Sequence, residues 1–224
     1  MVRIVDLTNP LSAETPVHPL DTPVTISFPL NHAIHDMALS SLRLSSHAGT
    51  HMDAPLHMLA DGSSLDAYPV SRFVGTAVVL DVRGRGKALT IEIVAEAADA
   101  AGGLQPGDFA LVWSGWDAHY GASDMYEHPY LTAEAAVYLR DQSVSLVGAD
   151  FTSMDSSSGT NEGMTLKEMD LSAHKVLMTA DILIVENLRG LEQIVGGRTP
   201  CVILPLPTVG VEGSPVRAIA WVED

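Results

Sequence analysis

Three histidines and an aspartate fall within eleven residues in the run His47-Ala-Gly-Thr-His51-Met-Asp53-Ala-Pro55-Leu-His57. Imidazole nitrogens and a carboxylate oxygen form a donor set suited to zinc, manganese or iron(II). A structural zinc knot would need clustered thiolates, and the chain has a single cysteine, Cys201. A catalytic centre keeps one position open, where the metal acidifies water and polarises a substrate carbonyl. His57, beyond Pro55, is free to act as general base or proton shuttle in such a centre. The competing reading is a polar loop that happens to be rich in histidine.

Ideal elements test the spacing. In a straight strand His47 and His51 stand roughly 13 Å apart, too far to share an ion. On a helix they approach to roughly 6 Å, but Asp53 then lies about 240° around the axis from His47 and faces away. A bend at Gly49-Thr50 followed by an extended His51-Met-Asp53 gathers all three, because residues i and i+2 share a strand face. Glycine suits the bend, and Pro55 keeps the next segment out of a helix.

The elements that must position this loop follow from pattern. Residues 1–8 read as a strand broken by Asn9-Pro10. The stretch 9–37 holds five prolines and three histidines (His18, His32, His35), which predicts a long surface loop with extended pieces. Alternation over 37–46 predicts a strand leading into the cluster. Further strands are expected at 74–82, 109–113, 144–149, 182–185, 199–204 and 216–222. Helices are expected at 90–101 behind Thr90, at 132–141 behind Thr132, and at 172–179. The region 114–131 is irregular and aromatic, and the Ser/Gly-rich 153–163 reads as a loop. Helices occurring singly between strands predict an α/β fold, a mixed sheet or partly closed barrel with outer helices. No repeat or linker-like composition shift divides residues 1–224, so one domain is expected.

Composition narrows the function. Hydrophobic residues make up 46%, enough for a packed core. A net charge of −16, with 12 Lys and Arg against 28 Asp and Glu, repels phosphate backbones and argues against nucleic acid. No apolar run approaches the ~20 residues of a membrane helix. The amino-terminal Met-Val-Arg-Ile-Val-Asp-Leu lacks a signal peptide's apolar region. With its lone cysteine, the chain is expected to be cytoplasmic.

The run from His47 to His57 resembles the H-x-G-T-H-x-D-x-P-x-H signature of the cyclase/kynurenine formamidase-like family of metal-dependent hydrolases. The likeness continues through Asp6-Leu-Thr, Thr15-Pro-Val-His-Pro19, Gly148-Ala-Asp150-Phe-Thr-Ser153-Met-Asp155, Ala173-His174, Glu186-Asn187-Leu188, Leu204-Pro-Leu-Pro207 and Gly213-Ser-Pro215-Val-Arg217. The resemblance implies a swivelling β/β/α-type fold and metal ligation by His47, His51 and Asp53, joined by the distant His174 and Glu186. It implies one or two divalent ions, Zn2+ or Mn2+, with Asp53 and Glu186 shared where there are two. His57 is then the acid/base group, and a homo-oligomer, dimer or tetramer, is implied as well. Taken alone, His174 and Glu186 read as surface residues. One departure stands out: the formamidases' P-V-W-P-G-D is here Pro16-Val-His18-Pro-Leu20-Asp21, with less aromatic area and more hydrogen-bonding capacity at His18.

These readings converge on a hydrolase that opens a cyclic amide or arylformamide of a small aromatic molecule, with a lactone or ester as the alternative substrate. A non-catalytic metal- or small-molecule-binding protein is the alternative of a different class. A metalloprotease is disfavoured by the absence of H-E-x-x-H. His18 and Trp116 are the candidate substrate contacts. Trp113 and Cys201 read as core, no G-x-S-x-G elbow supports Ser153 as a nucleophile, and His119 and His128 carry no assignment.

Overall fold

The computed structural model describes residues 2–18, 21–157 and 170–223. In chain order its elements are β1 (Val2–Asp6), β2 (Thr25–Leu30), α1 (His32–His35), β3 (Leu39–Arg43), β4 (His51–Asp53), β5 (Val74–Asp81), β6 (Ala88–Leu89), α2 (Ile91–Ala100), β7 (Phe109–Trp113), β8 (Tyr130–Leu131), α3 (Ala133–Asp141), β9 (Leu146–Ala149), α4 (Ser172–Thr179), β10 (Leu183–Glu186), β11 (Arg198–Pro205) and β12 (Gly213–Glu223). The main sheet runs β1-β12-β11-β5-β7-β9-β10-β4, and β4 pairs again with β12. Seven strands therefore close into a barrel, with β1 continuing beside β12. The expected partly closed barrel is a closed one.

The strands β5, β7, β9 and β10 are parallel neighbours. Parallel pairing requires a crossover, and α2, α3 and α4 supply one between each consecutive pair. Alternation along the strands then sorts side chains into two cores. Ala77, Val79, Phe109, Leu111, Val185, Met52 and Cys201 fill the barrel. Val78, Leu80, Ala110, Val112, Val147 and Ile184 face outward under the helices, against Val94, Leu139 and Leu177.

The strands of the barrel and the helices α2, α3 and α4 lie where the pattern predicts them. Thr132 caps α3 by accepting the Ala135 N–H, whereas Thr90 ahead of α2 makes no such bond. The expected loop 9–37 contains β2, paired antiparallel with β3, and the single turn α1. Pairing to a distant strand overrides the proline content: Pro23 precedes β2, and Pro29 sits where the register shifts between Ser27 and Leu30. Residues 158–163 of the expected Ser/Gly-rich loop, and Pro19 and Leu20 in the departing motif, lie outside the described residues. No helix among the described residues is long and apolar enough to cross a membrane.

Candidate metal centre

Gly49, at φ 68°, makes the bend, and after Thr50 the chain extends as β4, His51–Asp53. This short strand is wedged between β10 and β12, with His51 opposite Glu186 and Pro215, and Asp53 opposite Ile184 and Gly213. Met52 and Val185 point into the barrel, so His51, Asp53 and Glu186 must point out of it, toward the first turn of α4. His174 stands in that turn. The outer face of a barrel thus carries a polar cluster in place of core, and Asp53, His51, His174 and Glu186 are all buried there.

The two carboxylates divide their oxygens between the histidines. Asp53 Oδ1 lies 2.7 Å from His47 Nδ1 and 3.4 Å from His51 Nε2, while Oδ2 lies 3.9 Å from His174 Nε2. Glu186 Oε2 is 3.5 Å from His51 Nε2, and Oε1 is 3.3 Å from His174 Nε2. Two converging donor sets result: His47, His51 and Asp53, and Asp53, His174 and Glu186.

Outer partners fix the rings. His51 Nδ1 donates to the Gly49 carbonyl at 3.0 Å, leaving Nε2 as the free lone pair. His174 Nδ1 donates to Asp155 Oδ2 at 2.6 Å, and the same carboxylate accepts the Ala173 and His174 N–H groups. Glu212 lies 3.3 Å from His47 Nε2 and also accepts the Ser46 hydroxyl. Such carboxylate and carbonyl partners set the tautomer of metal-binding histidines. Gly213 makes room for His47: a Cβ there would come within 2.9 Å of the imidazole Cε1.

The donor set fits a cation. Asp53 Oδ1 is buried with no hydrogen bond of good geometry, although His47 Nδ1 is close, as two ligands of one ion would be. Burial opposes charge on His47, yet Asp53, Glu186 and Glu212 outweigh it and bring its pKa up to about 9. Burial likewise opposes charge on His174, but Asp155 and Glu186 push it up to about 10. Burial would raise Asp53, and His47 and His51 instead hold it well below the usual carboxylate range. The cluster favours positive charge, as a site for a divalent cation would.

His57 ends a short 3-10 turn, Pro55–His57, started by the proline. Its ring lies 4.3 Å from that of His47 and 6.1 Å from that of His174, yet it belongs to neither donor set. Burial lowers its pKa, and charge on His47 and His174 lowers it further. Burial and those rings thus favour its uncharged form, the form that accepts a proton, against the opposing pull of Asp53 and Glu186.

The cluster forms one end of a cavity of about 400 Å³, walled by Val17, His18, Met58, Met125 and Tyr126 among others. Tyr126 donates to the Val17 carbonyl at 2.9 Å and holds the His18 segment on the wall, with the His18 ring 6.4 Å away. Trp116, the other expected substrate contact, is not on this wall. Its N–H is committed to the Met125 carbonyl and its ring stacks on His119 at 4.1 Å, so it backs the wall and does not line it. Trp113 and Cys201 are buried in the barrel. Asp150, which could have partnered Ser153, accepts from Ser114, Gly115 and Trp116. His128 is buried between the Pro129 carbonyl and the Ser157 hydroxyl.

Sequence reasoning assigned no role to Asp155, Glu212, Gly213, Met125 or Tyr126. Asp155 and Gly213 lie within segments of the resemblance. Glu212 had no local signal, since it acts from the turn between β11 and β12.

Comparisons with known proteins give the family. The family described as "Putative cyclase" matches residues 5–156. A kynurenine formamidase of Salinibacter ruber is 33% identical over 222 residues, covering 97% of both chains. Isatin hydrolase A of Labrenzia aggregata, solved with benzyl benzoate, superposes with a TM-score of 0.89 at 26% identity, covering 100% of this chain and 94% of that one. A predicted metal-dependent hydrolase of Bacillus stearothermophilus gives 0.78 at 26% identity, covering 99% and 98%. The chain belongs to the cyclase/kynurenine formamidase-like family.

Proposed function

We propose that this chain is a metal-dependent hydrolase of a carbon–nitrogen bond other than a peptide bond, in a cyclic amide or arylformamide of a small aromatic molecule. The observation that carries the reading is the division of Asp53 and Glu186 oxygens between two histidine sets, with the His57 ring beside them. His47, His51 and Asp53 would hold one divalent ion, Zn2+ or Mn2+, and Asp53, His174 and Glu186 a second. When bound, the metal supplies Lewis acidity toward water and the substrate carbonyl. His57 accepts the proton that the attacking water loses and returns it to the nitrogen as the C–N bond breaks, so the products are an amine and a carboxylic acid, which gives up its own proton to solvent. The apolar wall takes the aromatic body of the substrate, and His18 offers it a polar contact. Names among the relatives support this chemistry: a formamidase, and an isatin hydrolase that holds an aromatic ester.

The test pairs elemental analysis of purified protein with hydrolysis assays on arylformamides, isatins and lactones. His57→Ala is expected to abolish turnover with metal content nearly unchanged; equal loss of both would make His57 a ligand. Bound metal and bound ligand without turnover on any of these compounds would identify a binding protein instead. Turnover of lactones alone would move the substrate to esters.

The same reading includes a cytoplasmic homo-oligomer. None of residues 25–43 is buried, and Phe28 and Ile34 are 71% and 75% exposed. A two-stranded ribbon of this kind is marginal by itself. Asp36 and Arg43 are its only carboxylate and guanidinium, so the ribbon is neutral in a chain of −16. A second copy would meet no net charge there.

A further inference from the structure

We infer that Asn187 is a positioning residue for His51, acting through the carbonyl oxygen of Gly49. The inference rests on the reading of His51 as a metal ligand. The residue follows Glu186 at the end of β10, where the chain must turn sharply, and it does so at φ 57°. Asparagine tolerates this left-handed conformation better than most residues. The turn brings the side chain back toward β4, and Asn187 Nδ2 donates to the Gly49 oxygen at 3.1 Å. His51 Nδ1 donates to that same oxygen at 3.0 Å. A carbonyl oxygen has two lone pairs and accepts both.

That oxygen decides which His51 nitrogen carries the proton. Gly49 is a glycine at positive φ, so its own backbone does little to hold the peptide group in place. Asn187 supplies the restraint from two directions. Its amide grips the Gly49 carbonyl, and its backbone carbonyl accepts the Thr50 hydroxyl at 2.6 Å and Asn9 Nδ2 at 2.8 Å. The Thr50 oxygen in turn accepts the Asn9 N–H at 2.8 Å. Asn9, Thr50 and Asn187 are all buried, which shields the network from competing water. One residue thus ends the strand that presents Glu186 and orients the ring of His51, whose Nε2 lies 3.5 Å from that glutamate.

Two substitutions separate orientation from folding. Asn187→Gly keeps the left-handed turn and removes the amide. Asn187→Asp keeps the shape but sets a carboxylate oxygen against the Gly49 oxygen. Each is purified metal-free and titrated with Zn2+ against a chromogenic chelator, with melting temperatures recorded without metal and with Zn2+, and His51→Ala as the control. Both variants are expected to bind one Zn2+ about 10- to 100-fold more weakly, the range found for outer partners of metal ligands. The metal-free melting temperature of Asn187→Gly should stay near that of the wild type. Co2+ substitution should give altered visible absorption bands in both variants. Wild-type Zn2+ affinity in Asn187→Gly, with His51→Ala impaired, would overturn the inference and leave the metal reading standing. Undiminished Zn2+ binding by His51→Ala would overturn both.

Discussion

At the scale of single residues, one imidazole in the cluster is set apart by charge. Carboxylates raise His47 and His174, whereas burial and those two rings lower His57. A base is useful only when deprotonated, so a lowered pKa extends its working range toward acid. Activity is therefore expected to fall as pH drops through a midpoint below 6.5, the ordinary imidazole value. The profile of kcat/KM against pH on metal-loaded enzyme checks this, and a midpoint above 7 would count against His57 as the base. Removing a general base costs on the order of 10²- to 10⁴-fold, so His57→Ala should show that loss together with loss of the acid limb. Bound cations would displace the midpoint in the same direction, since they repel a proton as His47 and His174 do.

At the scale of elements, β4 is only three residues long, yet it holds two proposed ligands. It is ordered by its neighbours: β10 brings Glu186 opposite His51, and the first residues of β12 close the barrel on the other edge. Gly213 begins β12, and a methyl group there would meet His47 Cε1 at 2.9 Å and the Met52 oxygen at 3.2 Å. Gly213→Ala should displace the His47 ring. We expect metal affinity to fall at least about tenfold and stability to drop by about 1–3 kcal/mol, the usual cost of overpacking. Zinc titration and urea denaturation of the metal-free protein read the two effects separately. An alanine variant with wild-type zinc affinity would show that His47 is not held by this contact.

At the scale of the whole molecule, the acidic surface and the neutral ribbon pull in different directions. Net charge keeps copies apart, whereas Phe28, Ile34, Met37, Leu39 and Leu42 are exposed on one short segment. If the ribbon joins copies, replacing Phe28 and Leu42 by aspartate should convert an oligomer to a monomer in sedimentation velocity. Zinc content per chain should survive that change, because β2 and β3 carry none of the proposed ligands. A monomeric wild type, or an oligomer unaffected by the two aspartates, would sink this interface.

The local part of the site is legible in the sequence because its physics is local. The donor types, the glycine bend, the i and i+2 alternation and the proline after Asp53 suffice to bring His47, His51 and Asp53 to one face. The alternating strands and single helices likewise announce an α/β fold. Two other things depend on distant contacts, and chain-local pattern carries no trace of them. One is barrel closure, where β12 returns to pair with β4 and brings Glu212 to His47 and Gly213 beneath it. The other is the approach of His174 and Glu186, which by themselves look like surface residues and were placed only by resemblance. Their burial follows from strand parity: Val185 enters the barrel, so Glu186 must leave it on the side where α4 begins. The sequence by itself determined that His47, His51 and Asp53 could converge on a metal. The tertiary structure decided that Asp53 and Glu186 face both histidine sets, because only sheet pairing sets the register between strands more than a hundred residues apart.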